Sequence, residues 1–320
     1  MSLLDINGLS VEFSGFKAVD NVSLSIEKGK VLGIVGESGS GKSVTQLAMM
    51  GLISYPGKIT SGVVEFDGKD LLSMPPKARR KIVGKEISMI FQDPMTSLNP
   101  CYTVEFQILE MLQTHEKGST RELKNRVLEL LDKVRIPDAK SRLNAYPHEL
   151  SGGMSQRVMI AMAIACKPQL LIADEPTTAL DVTTQAQILD LLVDLKDDYG
   201  MGLILITHDM GVVAETADDV AVMYAGQVVE QQNVNALFSK PIHPYTEALL
   251  AALPERSYGA EELPTIPGVV PGKYDRPQGC LFNPRCNYVQ QNCITDAPEL
   301  QHISNACVRC HYPLGQGENQ

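Results

Sequence analysis

Short apolar runs rich in Val, Ile and Leu recur along the first 230 residues, and amphipathic segments separate them. Four of these runs have the length of strands that are buried on both faces, as in a parallel sheet. They cover residues 31–35, 86–91, 170–173 and 203–207. Helical spacing of apolar residues follows the first and the third run. This alternation predicts an α/β fold.

Other patterns predict parts that depart from this alternation. Residues 3–13 and 18–26 read as two short strands of a leading sheet, a plausible roof over a nucleotide. Residues 62–66 read as a further strand that ends in a hairpin turn. Between Thr103 and Val134 the apolar residues follow a helical period, so an all-helical insertion is expected there. Ten of the nineteen prolines fall in residues 241–320, which therefore read as a loop-like extension.

Composition and charge narrow the class of protein. With 44% hydrophobic and 21% charged residues among 320, the chain reads as globular. A net charge of −10 argues against a general nucleic-acid binder, which needs a basic face. Asp5, Asn7 and Glu12 interrupt any secretory signal, and the longest apolar stretch, 158–166, is too short to cross a bilayer. We therefore expect a cytosolic chain, or one that reaches a membrane by docking to another protein.

The segment from Gly36 to Ser43 fits the phosphate-binding template G-x-x-x-x-G-K-[ST], and we call it the P-loop. It lies between a predicted strand and a predicted helix, which disfavours a chance glycine-rich turn. Its backbone N–H groups can surround an anion at the start of the helix. Lys42 can then reach the β- and γ-phosphates, and the Ser43 hydroxyl can bind Mg²⁺. The expected ATP contacts in the P-loop are Gly36, Ser38, Gly39, Ser40, Gly41, Lys42 and Ser43.

Phe13, at the end of the first predicted strand, is a candidate to stack on the adenine ring. Phe16 is its rival, and an ordinary core or edge aromatic residue is the alternative for either.

The residues that follow the buried runs are the candidate catalytic groups. Gln92 follows the second run, Asp174 and Glu175 the third, and His208 the fourth. In open α/β sheets, ligands bind at these carboxyl ends of strands. Asp174 can hold Mg²⁺ through water, Glu175 can polarise an attacking water, and Gln92 can bind the metal. His208 can sense the γ-phosphate. A loop amide, a solvated acidic turn and a loop histidine are the plain alternatives, which the upstream P-loop disfavours.

A second possible anion site precedes the third run. Ser151 can cap a helix that begins with Gly152 and Gly153. This helix start has no lysine or metal-binding hydroxyl placed like those of the P-loop. It is therefore better fitted to cover a phosphate from outside than to hold a complete nucleotide.

Taken in order, these motifs resemble those of ABC-type ATPases over about residues 1–240. The P-loop looks like the Walker A motif and Gln92 like the Q-loop. The segment 150–156 looks like the signature, 170–175 like Walker B, 179–181 like the D-loop and His208 like the switch histidine. The resemblance implies a RecA-like core, an antiparallel β subdomain and a helical subdomain over about 98–160. It also implies catalysis by Glu175, His208, Gln92 and Lys42, with Mg²⁺ held through Ser43, Gln92 and Asp174.

The amino-acid sequences of four segments resemble those found in ATP-binding subunits of bacterial dipeptide and oligopeptide importers. These segments are residues 33–43, 91–100, 222–226 and 243–246. We favour a dipeptide importer over the oligopeptide and nickel members. A non-transport ABC ATPase of translation or DNA repair is the alternative, disfavoured by the single signature and the absence of sustained heptads.

The family resemblance implies a set of partners and a location. Two related but different ATPase subunits pair head to tail, so that the signature of one caps the ATP of the other. Here the signature residues are Ser151, Gly152, Gly153 and Gln156, with Asp181 in the D-loop. Two membrane-spanning permease subunits and an extracytoplasmic peptide-binding protein complete the importer. The chain is then expected as a peripheral protein on the cytoplasmic face of the bacterial inner membrane.

Five of the seven cysteines lie in the proline-rich extension. In a cytosolic chain they point to metal ligands or reduced thiols before disulfides. Only Cys307 and Cys310 have the close spacing of a zinc ribbon, and four well-spread thiolates fit an iron–sulfur cluster better. Zinc and free thiols remain alternatives. Cys101 and Cys166 read as ordinary loop or buried thiols.

The same importer ATPases carry a [4Fe–4S] cluster on a similar C-terminal cysteine pattern. The resemblance implies Cys280, Cys286, Cys293 and Cys310 as its ligands, with Cys307 able to displace Cys310.

Overall fold

The structure is a computed structural model that describes residues 2–253 and 264–315. The strands in these ranges are β1 (Ser2–Phe13), β2 (Phe16–Glu27), β3 (Val31–Val35), β4 (Gly57–Phe66), β5 (Lys69–Asp70), β6 (Ile87–Ile90), β7 (Leu170–Asp174), β8 (Gly202–Ile206), β9 (Asp219–Tyr224), β10 (Gln227–Asn233), β11 (Gln301–Ile303) and β12 (Ala306–Val308). The helices are α1 (Lys42–Met50), α2 (Pro76–Ile82), α3 (Pro94–Ser97), α4 (Val104–His115), α5 (Thr120–Lys133), α6 (Ala139–Arg142), α7 (Gly152–Ile164), α8 (Val182–Tyr199), α9 (Met210–Thr216), α10 (Val234–Ser239), α11 (Pro244–Ala251) and α12 (Gln291–Thr295). Short 3-10 turns cover Pro147–Glu149 and Asn283–Arg285.

The described residues divide into two compact units. The helical unit contains residues 27–30 and 73–206. The P-loop unit contains residues 2–26 and 31–72, and the chain from 207 onward. The predicted boundary at residue 240 between an ATPase domain and an extension stays a prediction, and parts of 241–320 lie outside the described residues.

The P-loop unit is built on two groups of strands. The first is the predicted leading sheet, in the order β2-β1-β4-β5, in which β1 runs antiparallel to β4 with Leu4 opposite Phe66. In the second group the strands follow the order β11-β12-β10-β9-β3. Here β3 is parallel to β9, and β9 and β10 form a hairpin. The strands predicted over residues 3–13, 18–26, 31–35 and 62–66 are therefore confirmed.

The helical unit contains three parallel strands in the order β6-β7-β8. All three are buried along their length and mainly apolar, as the apolar runs predict, with Ser88 in β6 and Asp174 at the end of β7 as the polar exceptions. The predicted helical insertion is confirmed as two helices, α4 and α5. A capping box formed by Ser119 and Glu122 begins α5. The side chain of each residue accepts a hydrogen bond from the backbone N–H of the other.

The extension is more ordered than its proline content indicates. The strand β12 pairs with β10, placing Val308 opposite Glu230, and β11 pairs with β12. The sequence analysis missed both strands because each has only three residues, too few to show a period. Within residues 2–253 and 264–315, no helix has both the length and the apolar character needed to span a membrane.

Gly33, in the middle of β3, leaves room for a neighbouring helix. A Cβ atom added there would lie 2.8 Å from Cγ1 of Val213 on α9. We expect Gly33→Ala to lower the free energy of unfolding by about 1–3 kcal/mol, because the added methyl group overpacks a buried contact. In the background of Val213→Ala the cost of Gly33→Ala should fall, and urea unfolding of the four proteins measures this coupling.

The control for this cycle is Val64→Ala, a buried position in the leading sheet. It should combine additively with Gly33→Ala. If Gly33→Ala couples equally to Val213→Ala and to Val64→Ala, the added methyl group does not destabilise the protein by its contact with Val213.

Candidate functional site

The P-loop is shaped by glycines whose backbone angles other residues disfavour. The φ angle is 151° at Gly36, 81° at Gly39 and 97° at Gly41. At Gly36 an added Cβ would lie 2.2 Å from the backbone oxygen of Met223 in β9, so a side chain there requires the backbone to move. Gly41 then forms the N-terminal cap of α1. The loop thus leads directly into a helix N-terminus, an arrangement that favours anion binding.

Lys42 lies against the P-loop instead of extending into solvent. Its side chain is 6% exposed, and Nζ donates to the backbone oxygens of Gly36, at 2.7 Å, and Glu37, at 3.1 Å. Ser43 follows in the first turn of α1 and is exposed. The ammonium group of Lys42 and the N-terminus of α1 therefore lie together at the loop.

The two candidate adenine-stacking rings occupy different surroundings. Phe13 lies opposite Gly57, where an added Cβ would meet its ring at 2.5 Å. The ring of Phe16 has the guanidinium of Arg276 above it, 5.7 Å from the ring centroid. Both rings are partly buried. Which of them stacks on adenine stays a prediction.

His208 lies just after β8, beside the strand that leads into the P-loop. Thr207 N donates to the backbone oxygen of Ile34 in β3, at 3.2 Å. His208 is exposed, and Asp209 caps the following helix through the backbone N–H groups of Gly211 and Val212. The cap fixes the turn on which the histidine is carried, while the imidazole faces solvent.

In the helical unit, the side chains of Gln92 and Glu175 are hydrogen-bonded to each other. Gln92 Nε2 donates to Oε2 of Glu175 at 2.9 Å, and Thr178 Oγ1 donates to the same oxygen at 3.0 Å. These two donors orient the carboxylate at the carboxyl ends of β6 and β7. An oriented carboxylate at this edge can accept a proton from a water molecule.

The backbone around Glu175 is unusual for a residue with a side chain. Its φ angle is 45°, in the left-handed region. The conformation is held by Glu175 N, which donates to the oxygen of Ile206 at 2.8 Å, and by Thr178 N, which donates to Glu175 O at 3.2 Å. Asp174, one residue earlier, is buried at the end of β7. Strained backbone of this kind is concentrated at functional sites.

The second candidate anion site is a helix N-terminus, as expected. Ser151 caps α7 by accepting from Met154 N at 3.3 Å, and Gly152 is exposed. At Gly153 an added Cβ would lie 2.8 Å from Cγ2 of Thr184, so α7 closely approaches the start of α8. Gln156 is 2% exposed and points into the unit, although the sequence analysis places it at a partner's ATP.

The start of α8 carries the D-loop aspartate. Asp181 caps this helix by accepting from Thr184 N at 3.0 Å and from Thr184 Oγ1 at 2.7 Å. Hydrogen bonds from Thr184 lower the pKa of Asp181, so the carboxylate keeps its charge at neutral pH.

The predicted site residues thus divide between the two units. The P-loop unit holds Phe13, Gly36, Ser38, Gly39, Ser40, Gly41, Lys42, Ser43 and His208. The helical unit holds Gln92, Ser151, Gly152, Gly153, Gln156, Asp174, Glu175 and Asp181.

Four cysteines of the extension converge on one cavity of the P-loop unit. Cys280, Cys286, Cys293 and Cys310 all line it, together with aromatic side chains that include Phe282. Cys307 is not among the lining residues, and its Sγ lies 3.2 Å from Nδ1 of His302. Burial raises the pKa of Cys280 to about 11 and that of Cys310 to about 12. Without a bound cation these thiols are therefore neutral at physiological pH.

The convergence of the thiols does not by itself make a metal site. Across the described residues, no three His, Cys, Asp or Glu side chains are arranged so that they could hold a metal ion. The iron–sulfur cluster and its zinc alternative therefore stay predictions.

One contact of the P-loop was missed by the sequence analysis. Glu37 N donates to the hydroxyl of Tyr245 at 3.1 Å, and the Glu37 carboxylate pairs with Arg285. In the sequence, only the resemblance of residues 243–246 to importer ATPases points to this region, and it gives Tyr245 no structural role. Glu37 occupies a variable position of the phosphate-binding template, so the template gives no reason to examine it.

Comparisons with known proteins agree with these geometries. Residues 19–178 match the family model described as ABC transporter, and residues 229–293 match the oligopeptide/dipeptide transporter C-terminal region. The chain is 58% identical to the dipeptide transport ATP-binding protein DppD of Haemophilus influenzae, over 100% of this chain and 98% of that protein. It is also 58% identical to DppD of Escherichia coli, over 98% of each chain.

Solved structures give the same answer for the fold. The dimeric, post-hydrolysis structure of the ATP-binding cassette MJ0796 with ADP and Pi is 30% identical, with a TM-score of 0.65. It covers 72% of this chain and 98% of its own. CbiO1 of Clostridium perfringens, part of the ABC transporter complex CbiONQ, has a TM-score of 0.66 at 30% identity, over 74% of this chain and 91% of its own. The match to the family model, the identity over the full chain and the solved structures agree. The chain belongs to the ABC transporter family and is one of its ATPases.

Proposed function

We propose that this ATPase powers the import of dipeptides or short oligopeptides through a permease of the bacterial inner membrane. The observation that supports it most is likeness over the whole chain, extension included, to proteins named for dipeptide transport. Many ABC ATPases share the nucleotide motifs, whereas the C-terminal region of residues 229–293 is described as that of oligopeptide/dipeptide transporters. The extension is therefore the part that narrows the substrate class.

In this proposal ATP binds to the P-loop, where Lys42 contacts the β- and γ-phosphates. Ser38, Gly39, Ser40 and Gly41 contribute the surrounding donors. Ser43, in the first turn of α1, is the P-loop residue that would hold Mg²⁺. The contacts of Lys42 with two loop oxygens support this, because a lysine already held at the loop needs little reordering to bind phosphate.

Glu175 is the proposed general base. Its Oε2 accepts hydrogen bonds from Gln92 and Thr178, which fix the direction of the carboxylate. A base that is already oriented contributes more to proton transfer than a mobile one. His208 is proposed to contact the γ-phosphate and to hold the attacking water in line.

The proposed partners are those of a peptide importer. A second, related ATPase subunit would be paired head to tail, receiving Ser151, Gly152 and Gly153 at its nucleotide, with Asp181 at the junction. Two membrane-spanning permease subunits and an extracytoplasmic peptide-binding protein would complete the complex. The chain would then be peripheral on the cytoplasmic face. The exposed start of α7 supports the head-to-tail arrangement, because its capped N-terminus is open to an anion.

We expect Glu175→Gln to leave ATP affinity within about twofold of the wild-type value and to slow hydrolysis by about 10²–10⁴-fold, the usual contribution of a general base. Glutamine keeps the shape and the acceptor oxygen but cannot take up a proton. The measurements are ATP binding by calorimetry and phosphate release by the assembled importer. In cells, uptake of a radiolabelled dipeptide should fall in parallel.

Glu215→Gln, an exposed position on α9, is the matched control and should leave binding, hydrolysis and uptake unchanged. Undiminished hydrolysis in Glu175→Gln would remove this residue from its role. Uptake of nickel instead of dipeptide by the wild-type importer would retain the ATPase mechanism and overturn the peptide assignment.

We further propose that Cys280, Cys286, Cys293 and Cys310 hold a [4Fe–4S] cluster. The shared cavity supports this set, and the position of Cys307 outside it disfavours Cys307 as the fourth ligand. When bound, such a cluster supplies a cross-link between distant parts of the extension or a site for electron transfer.

Protein purified without oxygen is expected to contain about four iron atoms and four acid-labile sulfides per chain. Cys293→Ser should lose most of both, while Cys307→Ser should retain them. After removal of iron, alkylation at pH 8 should be slow at Cys280 and Cys310, because their raised pKa values leave little thiolate. Zinc without sulfide would contradict the cluster, and iron lost in Cys307→Ser but kept in Cys310→Ser would contradict the ligand set.

A further inference from the structure

Arg285 joins the cysteine-rich extension to the P-loop. It ends the 3-10 turn Asn283–Arg285 and directly precedes Cys286. Its Nη1 and Nη2 each lie 3.0 Å from an oxygen of the Glu37 carboxylate, although 248 residues separate the two in sequence. The Arg285 side chain is 5% exposed and that of Glu37 29%. This is a two-pronged ion pair between a buried guanidinium and a partly exposed carboxylate, and the two parallel contacts are the geometry in which arginine binds carboxylates most strongly.

The guanidinium is held by more than Glu37. Nε donates to the oxygen of Pro267 at 2.7 Å, and Nη2 also donates to the oxygen of Ile266 at 3.4 Å. Nη1 donates to the hydroxyl of Tyr224 at 3.4 Å, and the guanidinium carbon lies 5.7 Å from the centroid of the same ring. All five N–H donors of the guanidinium therefore have acceptors. A lysine could reproduce neither the fork nor this number of contacts.

Glu37 is fixed on its other sides as well. Its backbone N–H donates to Tyr245, and its backbone oxygen accepts from Lys42 Nζ at 3.1 Å and from Ser40 N at 3.2 Å. Tyr245 packs on Tyr224, with ring centroids 4.7 Å apart, and both pack on Phe282 of the cysteine segment. Two side chains from beyond β10 thus hold Glu37. Tyr245 binds its backbone N–H, and Arg285 binds its carboxylate.

The charge at position 37 poses a problem that Arg285 solves. A carboxylate within a loop that binds phosphates repels the ligand, and the repulsion is large where water is excluded. The phosphate-binding template leaves position 37 open, so binding does not require an acidic residue there. A buried guanidinium paired with both carboxylate oxygens cancels this charge.

We propose that Arg285 is a positioning residue for ATP binding, which neutralises Glu37 and holds the P-loop in its phosphate-binding shape. This inference rests on the proposed binding of ATP at the P-loop. Its consequence is that Arg285 matters to nucleotide affinity only while Glu37 is present.

The test is a cycle of four proteins: wild type, Arg285→Met, Glu37→Ala and the double variant. The dissociation constant for ATP with Mg²⁺ is measured by calorimetry at two salt concentrations. Arg285→Met should weaken binding about tenfold at low salt, and less at high salt, because an uncompensated carboxylate then faces the phosphates. In the Glu37→Ala background, the same substitution should change the dissociation constant less than twofold. Arg285→Lys should recover part of the loss, since it restores the charge without the fork.

Arg309→Met is the matched control. Arg309 is another buried arginine of the extension, 6% exposed, and donates to the backbone oxygens of Val228, Pro298 and Asn21. It should lower the melting temperature and leave the dissociation constant for ATP unchanged.

Three outcomes would overturn the inference. They are unchanged affinity in Arg285→Met, an equal loss with and without Glu37, and an equal loss of affinity in Arg309→Met. Failure of the wild-type protein to bind ATP would instead refute the proposed function, so the two failures are distinguishable. If Arg285→Met does not fold, Arg285→Lys replaces it in the cycle. Its dissociation constant for ATP is then compared in the wild-type and the Glu37→Ala backgrounds, and a loss only in the former supports the inference.

Discussion

The phosphate-binding loop depends on partners outside it for the backbone groups that it turns away from the ligand. A loop whose N–H groups face an anion leaves carbonyl oxygens that also need hydrogen bonds. Here Lys42 serves the oxygens of Gly36 and Glu37, and Gly226 N donates to the oxygen of Ser40 at 2.9 Å. The N–H of Glu37 is satisfied by Tyr245. The hairpin β9–β10 and the extension therefore supply hydrogen bonds to backbone groups that the loop itself leaves unpaired.

Much of this architecture was predictable because its causes are local. The strand β3 is a continuous run of apolar residues, and the helix after it ends at Gly51, whose φ of 66° is left-handed as expected of a C-terminal cap. Ser151 and Asp181 cap helices where their spacing from the next apolar residues indicates. The meeting of Gln92 with Glu175 was also foreseeable, since both follow neighbouring parallel strands and such strands end at the same edge.

The features that could not be predicted depend on residues far apart in the chain. Nothing near Glu37 indicates a guanidinium 248 residues away, and nothing near Phe16 indicates Arg276 above its ring. The strand β12 is visible only as a partner of β10, because three residues carry no period of their own. Sequence patterns report which face of an element is buried, whereas pairing between distant segments is fixed only when the whole unit packs.

Arg285 connects the segment that lines the cysteine cavity to the P-loop, because it directly precedes Cys286 and binds Glu37. The segment that carries this arginine begins at Cys280, whose N–H donates to the oxygen of Cys293 at 2.8 Å, and ends at Cys286. Phe282, within this segment, contacts Tyr224 and Tyr245, the two tyrosines beside Glu37. Disorder in this segment would free the guanidinium from its five acceptors and leave the Glu37 carboxylate uncompensated within the loop. The backbone between Cys280 and Cys286 therefore connects the cysteine cavity with the surroundings of Glu37 through the contacts of Phe282 and Arg285.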